Sequence, residues 1–278
     1  MVTFPNAKIN LGLDILRKRP DGYHDISTVM IPVPWNDVLE IVPGKADVDR
    51  LTVSGRPVSC PPESNLVFKA VKSLRKYAAF PSVDIFLHKI IPDGAGLGGG
   101  SSDAAFAIKA INELFDLQLG DEMLASIAAG IGADCPFFIY NRPMLCTGIG
   151  ADMEEIRLNL PAGLTLVIVK PGVSVPTKDA YSAVTPAIPQ IKLDTLITNM
   201  PMKDWLGHVK NDFEASVFPG YPDIQRIKEV LLSKGAVYAS MSGSGSAVYA
   251  FFESDIMTEH IQALFPTSDI LVEKLDCQ

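Results

Sequence analysis

A glycine-rich segment between residues 92 and 102 carries the clearest chemical signal in the sequence. It holds five glycines, followed directly by Ser101 and Ser102, and it leads into a helical pattern. Glycine accepts positive φ angles and lets the backbone approach a ligand closely. Several backbone N–H groups in such a turn, together with the positive end of the next helix, form a site for phosphate groups. The segment therefore predicts a nucleotide ligand.

This loop differs from two common phosphate-binding motifs. A lysine would follow the last glycine in G-x-x-x-x-G-K-[ST], whereas Ser101 and Ser102 stand there. The loop also lacks the acidic residue that should follow the dinucleotide fingerprint G-x-G-x-x-G by about 20 residues, since the nearest candidate, Asp121, starts a predicted helix. A flexible hairpin is the alternative interpretation. The direct entry into a helix that Ser101 or Ser102 could cap favours the phosphate site.

Two other segments carry groups that could act on a bound phosphate. Lys8 and Asn10 share one face of a predicted strand over residues 7–15. Asp134 stands in the segment Gly132-Ala133-Asp134-Cys135-Pro136, after a helix that should end at Gly130. Taken singly, Lys8 fits a solvated strand face and Asp134 fits a turn residue bonded to its own backbone. Only in combination with the glycine loop does either residue gain a chemical role.

The composition limits the class of protein. At 278 residues and 47% hydrophobic content, the chain should form one large or two smaller globular domains. A net charge of -8 without a basic stripe makes nucleic acid an unexpected partner. The absence of a long apolar run and of a signal-peptide pattern predicts no membrane segment and a cytoplasmic location. No C-x-x-C pair is present, so free thiols are expected at the four cysteines, Cys60, Cys135, Cys146 and Cys277.

Hydrophobic periodicity predicts strands and helices in mixed order, which is typical of an α+β protein. Prolines at 32 and 34 should separate a strand over residues 26–31 from one over 38–42, and Ser64 should cap a helix over 65–77. We expect two domains, residues 1–159 and 160–278. The other predicted strands are 83–87, 164–169, 237–241, 247–252 and 270–275. The other predicted helices follow the glycine loop, span 121–129, begin near Pro222 and span 255–265.

Together these segments resemble the GHMP kinase superfamily over nearly the whole chain. The glycine loop resembles its phosphate-binding motif, and Met241-Ser242-Gly243-Ser244-Gly245-Ser246-Ala247 resembles its C-terminal glycine motif. Five segments resemble the branch whose acceptor is a cytidine diphosphate conjugate of methylerythritol. They are residues 7–11 (A-K-I-N-L), 19–24 (R-P-D-G-Y-H), 132–137 (G-A-D-C-P-F), 171–177 (P-G-V-S-V-P-T) and 211–214 (N-D-F-E).

The resemblance implies both a fold and a reaction. The fold would pair an N-terminal ribosomal-protein-S5-like domain with a C-terminal ferredoxin-like α/β-plait domain. ATP would give its γ-phosphoryl group to the 2-hydroxyl of the methylerythritol part, in the non-mevalonate isoprenoid pathway. Asp134 would accept or orient the hydroxyl proton, and Lys8 would offset negative charge at the transferred group. Mg²⁺ would be held mostly by ATP and water, near Ser101 or Ser102.

The resemblance also implies which residues bind the two substrates. Tyr23 would stack on the cytosine and His24 would hydrogen-bond its edge, while Asn10 would bond the acceptor. The pattern places Phe where this chain has Tyr181, and Asp93 and Ala95 also depart from the usual loop. The residues expected to bind the acceptor are Asn10, Tyr23, His24, Thr177 and Tyr181. The residues expected to bind ATP are Pro92, Gly94, Gly96, Leu97, Gly98, Gly99, Gly100, Ser101, Ser102, Asn65 and Lys89.

Two alternatives remain open at this point. One is a GHMP kinase that acts on a sugar, homoserine or mevalonate, for which the Tyr23-His24 pair would have no use. The other is a nucleotide-binding regulator without catalytic activity, which would not need both Lys8 and Asp134. In all three interpretations the partner is a small molecule, and we expect a monomer or a weak homodimer.

Overall fold

A computed structural model describes residues 1–58, 60–158 and 160–275. Cys277 and Asn159, the last residue of the predicted first domain, lie outside the described residues. By contacts between Cα atoms, the chain forms two compact units that alternate along the sequence. The first unit comprises Met1–Lys8, Pro32–Asp93 and Gly98–Arg142, and the second comprises Ile9–Ile31, Gly94–Leu97 and Pro143–Gln278. The predicted division at residue 160 stays a prediction.

Strands and helices are mixed along the described chain, which confirms the α+β expectation. The strands are β1 Val2–Thr3, β2 Asn6–Lys18, β3 His24–Asn36, β4 Val38–Pro43, β5 Arg50–Gly55, β6 Val83–Lys89, β7 Met144–Gly148, β8 Asp152–Glu155, β9 Thr165–Lys170, β10 Tyr238–Met241, β11 Val248–Phe252 and β12 Asp269–Lys274. The α-helices are α1 Leu66–Leu74, α2 Gly99–Leu114, α3 Asp121–Ala129, α4 Cys135–Tyr140, α5 Thr177–Ser182, α6 Leu193–Asn199, α7 Phe213–Val217, α8 Pro222–Ser233 and α9 Thr258–Leu264.

The first unit contains a sheet of order β1-β4-β6-β5, in which β5 is parallel to β6 and the other pairs are antiparallel. Val83, Ile85 and Leu87 alternate with more exposed residues along β6, as the period of two predicts. Helix α2 buries Ala104, Ile108 and Ile111, which lie on one face at helical spacing. Burial of these apolar faces fixes the strand and the helix that flank the glycine loop.

The second unit contains an antiparallel sheet of order β10-β11-β9-β12. All six residues of β9 are buried, so both faces of this strand are covered, as its near-continuous apolar sequence indicates. Helix α8 contributes Ile224, Ile227 and Leu231 to the same hydrophobic core. This core supports the loops that follow β9 and β10.

A third sheet has the order β2-β3-β7-β8. The predicted break at Pro32 and Pro34 is wrong, because β3 continues through both prolines to Asn36. The hydrogen-bonded pairing of β3 with β7 ends at Met30. At Pro32 and Pro34, β7 therefore offers no carbonyl group that would need the N–H group that proline lacks. Strand β2 is buried without interruption from Asn6 to Ile15.

Two predicted helix caps are also wrong. Asn65, not Ser64, caps α1, and its side chain accepts a hydrogen bond from Val67 N at 2.9 Å. Gly98, not Ser101 or Ser102, precedes α2, in the left-handed conformation. None of the described helices is both long enough and apolar enough to span a bilayer.

Candidate active site

Lys8 and Asp134 form an ion pair within the first unit. The distance between Lys8 Nζ and Asp134 Oδ2 is 3.3 Å. Lys8 is 3% exposed, so its interpretation as a residue on a solvated strand face is wrong. The side chain of Asp134, in contrast, is 33% exposed. A carboxylate that is open on one side and paired with a buried cation on the other can receive a proton from a bound hydroxyl group.

Asp134 is positioned by the start of α4. It immediately precedes the helix, but its side chain makes no capping hydrogen bond, so the self-bonded turn interpretation is also wrong. Cys135 N donates to Gly132 O at 3.1 Å, which closes the turn that presents Asp134. Burial raises the pKa of the Cys135 thiol to about 11, although a hydrogen bond with Ser101 opposes the shift. Cys135 therefore stays a neutral thiol, and Asp134 is the candidate reactive group of this turn.

The exit of the glycine loop lies in the same unit and requires glycine. Gly98 has a φ of 71°. A Cβ atom at this position would lie 2.9 Å from Phe138 Cζ and 3.2 Å from Lys8 Cε. Ser102 N donates to Gly98 O, while the N–H groups of residues 99–101 precede the first such bond in the helix. The N–H groups of residues 99–101 therefore have no partner within the helix and lie close to Lys8, as a phosphate site requires.

Ser102 adds a hydroxyl group to this helix start. It is fully buried, and its Oγ has no hydrogen-bond partner among the described residues. A buried hydroxyl without a partner is costly, which is typical of a position completed by a ligand. An oxygen of this kind fits a phosphate group or Mg²⁺. In the described ranges, no group of three or more His, Cys, Asp or Glu side chains could hold a metal ion.

Sequence reasoning missed a buried charge cluster next to α2. The Lys89 ammonium lies 2.6 Å from Asp103 Oδ2 and also contacts the carboxylate of Asp37. Burial favours the neutral amine, but Asp103 and Asp37 outweigh it and raise the pKa of Lys89. Burial also raises the pKa of Asp103. The predicted role of Lys89 in ATP binding stays a prediction, since in the structure these carboxylates hold its ammonium group.

Asn10 lies in the second unit and is 2% exposed. Its side chain donates to Thr28 Oγ1 at 3.0 Å, and its backbone N–H donates to Ser242 Oγ at 3.3 Å. The Ser242 hydroxyl donates in turn to Gly96 O at 2.9 Å. A Cβ atom on Gly96 would lie 2.0 Å from Ser242 O, so the C-terminal glycine turn packs directly on residues 94–97.

The predicted acceptor-binding aromatics also lie in the second unit. His24 and Tyr181 stack with ring centroids 4.8 Å apart and an interplanar angle of 21°. Tyr23 is 63% exposed, so its ring is open to a ligand. Thr177 Oγ1 lies 3.4 Å from Ser244 Oγ of the glycine turn. The structure thus pairs His24 with Tyr181, a contact that the spacing of the two residues does not predict.

Family models match both halves of the chain. The GHMP kinases N terminal domain matches residues 65–142, and the GHMP kinases C terminal domain matches residues 187–263. The first range includes the exit of the glycine loop and Asp134, and the second includes the C-terminal glycine turn. These matches and the site geometry define the class of protein as a GHMP kinase.

Curated relatives narrow the assignment. The 4-diphosphocytidyl-2-C-methyl-D-erythritol kinase of Bacteroides fragilis is 51% identical over 257 residues, 92% of this chain and 93% of the relative. The enzyme of the same name from Parabacteroides distasonis is 50% identical over 253 residues, 91% and 92% of the two chains. A crystal structure of 4-(cytidine 5'-diphospho)-2C-methyl-D-erythritol kinase matches with a TM-score of 0.82 and 29% identity, covering 100% of both chains. The chain therefore belongs to the 4-diphosphocytidyl-2-C-methyl-D-erythritol kinase family.

Proposed function

We propose that this chain transfers the γ-phosphoryl group of ATP to the 2-hydroxyl of 4-diphosphocytidyl-2-C-methyl-D-erythritol, which gives the 2-phosphate and ADP. The reaction belongs to non-mevalonate isoprenoid synthesis. One observation carries the proposal: a buried lysine forms an ion pair with a partly exposed aspartate next to a free helix start. Identity of about half to kinases of this name over nine-tenths of the chain supports the choice of substrate.

Lys8 and Asp134 carry the chemistry in this proposal. Asp134 accepts the proton of the 2-hydroxyl as that oxygen attacks the γ-phosphorus, and it orients the hydroxyl for in-line displacement. Lys8 offsets the negative charge on the transferred group. The transition state of phosphoryl transfer is loose, so positioning and charge stabilisation contribute most of the rate.

The start of α2 holds the phosphates of ATP. The backbone N–H groups of residues 99–101 and the positive end of the 16-residue helix attract the negative oxygens. Ser101 and Ser102 would hold Mg²⁺ together with ATP and water, and the ion would supply positive charge that offsets the charge of the phosphates. Pro92 and residues 94–97 complete the loop, and Asn65 and Lys89 are proposed for the adenine end.

Aromatic residues of the second unit recognise the acceptor. Tyr23 offers an exposed ring for stacking on cytosine, and base–aromatic stacking contributes about 1–3 kcal/mol per base. His24, held by Tyr181, bonds the cytosine edge, while Asn10 and Thr177 bind the remainder of the acceptor. Because both substrates are nucleotides of the cell interior, we place the enzyme in the cytoplasm. We expect it to be a monomer or a weak homodimer.

A substrate panel tests the proposal. ADP release is measured by a coupled assay with the cytidyl conjugate, mevalonate, homoserine and galactose as separate acceptors. We expect turnover with the conjugate alone. Turnover with one of the other three acceptors and none with the conjugate would refute the substrate assignment and favour another GHMP kinase activity.

A further inference from the structure

The segment Asn211–Glu214 stands out in the sequence but has no role in the proposed mechanism. In the structure, its four consecutive side chains contact different parts of the second unit. Its backbone pairs with β2, since Leu13 N donates to Lys210 O and Asp212 N donates to Leu13 O, both at 2.9 Å. Asp212 Oδ2 also accepts from Ile15 N at 2.8 Å. The segment is thus fixed to the strand that carries Asn10.

Asn211 holds the C-terminal glycine turn. It is 2% exposed, and its Nδ2 donates to Met241 O and Gly243 O, both at 2.8 Å. Its Oδ1 accepts from Phe213 N at 3.0 Å, so both amide protons and the oxygen are bonded. The two carbonyl groups flank Ser242, the residue that bonds Asn10 N and Gly96 O. Asn211 therefore sets the position of a residue that contacts both Asn10 and the glycine loop.

Glu214 binds the end of β10, the strand that leads into the same turn. Its Oε1 accepts from Met241 N at 2.9 Å and from Ser240 Oγ at 3.0 Å. Lys228 Nζ lies 2.5 Å from the other carboxylate oxygen and balances the charge. Asn211 and Glu214 thus hydrogen-bond to Ser240, Met241 and Gly243, at the end of β10 and the start of the glycine turn.

Phe213 supports a different part of the unit. Its ring packs edge-on against Tyr181, with centroids 4.7 Å apart and an interplanar angle of 89°. Tyr181 also stacks on His24. Phe213 is 3% exposed and belongs to the hydrophobic core, so it forms a rigid base for these two rings.

We propose that Asn211–Glu214 is a positioning segment with two separable functions: Asn211 and Glu214 fix the C-terminal glycine turn, which packs on residues 94–97 of the phosphate loop, and Phe213 fixes the His24–Tyr181 stack that receives the cytosine. The inference rests on the proposed function, because it takes the stack as the cytosine site. Neither function requires these residues to touch a substrate.

Two variants of the full-length enzyme separate the functions. Phe213→Leu keeps an apolar side chain but removes the edge-on ring contact, so KM for the conjugate should rise by up to about tenfold with kcat unchanged. Calorimetric titration should show weaker binding of cytidine 5'-diphosphate by a similar factor and unchanged binding of ATP. Phe218→Leu is the matched control, since Phe218 packs on the same core outside this ring stack.

Asn211→Ala should show the opposite pattern. Loss of the two bonds to Met241 O and Gly243 O should lower kcat by about tenfold or more and weaken ATP binding, with cytidine 5'-diphosphate binding within about twofold of the parent. Asn112→Ala is the control. The Asn112 side chain also hydrogen-bonds backbone groups, the N–H and the C=O of Leu119, but it lies away from the C-terminal glycine turn. If Asn211→Ala does not fold, Glu214→Gln should give the same pattern.

The outcomes distinguish this proposal from the proposed function. A parent enzyme that neither phosphorylates the conjugate nor binds cytidine 5'-diphosphate refutes both. If the parent is active but each variant weakens ATP and cytidine 5'-diphosphate binding together, the positioning proposal alone is refuted. The same holds if a control variant shows the same kinetic and binding changes as its test variant. Melting temperatures, measured for every variant, exclude unfolding as the cause of a lost signal.

Discussion

At the scale of the residue, the charge of Lys8 is the feature that most constrains the chemistry. The side chain lies in a strand buried from Asn6 to Ile15, and a buried ammonium group is stable only beside a negative group. Asp134 supplies that charge at 3.3 Å while keeping a third of its own side chain open. The pair therefore combines a fixed cation with an accessible proton acceptor.

Replacing Asp134, the proposed proton acceptor, should abolish turnover but preserve nucleotide binding. Asp134→Asn keeps the size of the side chain but accepts protons poorly, so kcat should fall by about 100-fold or more. The dissociation constant of ATP, measured by calorimetry, should change little because Asp134 does not belong to the helix start that we propose for the phosphates. Asp121→Asn, at an exposed residue of α3, is the control. Near-normal turnover of Asp134→Asn would overturn the role of Asp134.

Ser102 should show opposite effects on stability and on activity. Its buried Oγ has no partner among the described residues, so Ser102→Ala removes an unsatisfied group and should stabilise the fold by up to about 1 kcal/mol in chemical denaturation. ATP binding and turnover should both weaken, since the hydroxyl is a candidate ligand. The exposed Ser64→Ala serves as control. Unchanged activity in Ser102→Ala would exclude the hydroxyl from the site.

At the scale of the element, the start of α2 depends on the conformation of one residue. Gly98 adopts the left-handed region that other residues enter at a cost of about 1–2 kcal/mol. The space beside it is filled by the Phe138 ring and the Lys8 side chain. The glycine thus allows the helix start to approach the lysine closely.

A pair of glycine substitutions tests this constraint. Gly98→Ala should lower the melting temperature and abolish ATP binding, because the new Cβ forces Phe138 or Lys8 to move. Gly120→Ala is the matched control at another helix start, where φ is -73° and no atom lies within 4 Å of the added Cβ. The control should leave ATP binding unchanged and lower the free energy of unfolding by no more than about 1 kcal/mol, the usual difference between glycine and alanine at a helix N-cap. Equal effects of the two substitutions, in thermal unfolding and in ATP titration, would contradict the argument.

The buried cluster of Lys89, Asp37 and Asp103 acts at the same scale. It links the end of β6 to the first turns of α2, the elements on either side of the glycine loop. Asp37 also accepts from Ile91 N at 2.8 Å, just before the loop begins. The cluster therefore fixes both ends of the loop within the first unit.

At the scale of the whole molecule, stability should depend on pH through a buried carboxyl group. Burial, and then repulsion from Asp212, raise the pKa of Asp14 to about 6 from its usual 3.8, against an opposing effect of Lys210. A carboxyl group with a raised pKa binds its proton more tightly in the folded state. The stability it contributes is therefore complete below about pH 4 and is lost as the pH rises to about 6.

Removing this ionisation should stabilise the protein only at the higher pH. Asp14→Asn should raise the free energy of unfolding at pH 7.5 by up to about 3 kcal/mol, since a pKa unit corresponds to about 1.4 kcal/mol, and should have little effect at pH 4. Thermal and urea unfolding at the two pH values measure the difference, with Asp121→Asn as control. A loss of stability at pH 7.5 would show that the charged form is favoured.

Local sequence patterns were sufficient to locate several of the elements and to indicate the chemistry of the motifs. Periodicity located β6, β9, α2, α3 and α8 because a helix or strand repeats its buried face at a fixed local interval. The glycine and serine content of the loop indicated phosphate because the required backbone freedom belongs to the residues themselves. Family resemblance, carried by short motifs, indicated the kinase class that the family models and relatives confirm.

How these residues are combined depends on the fold. It buried Lys8 and placed Asp134 beside it, although each taken alone fitted a solvent-exposed or self-bonded residue. It left Ser102 Oγ without a partner among the described residues and stacked His24 on Tyr181. These outcomes depend on contacts between residues distant in the sequence, and the free energy of such contacts has no local periodic signature.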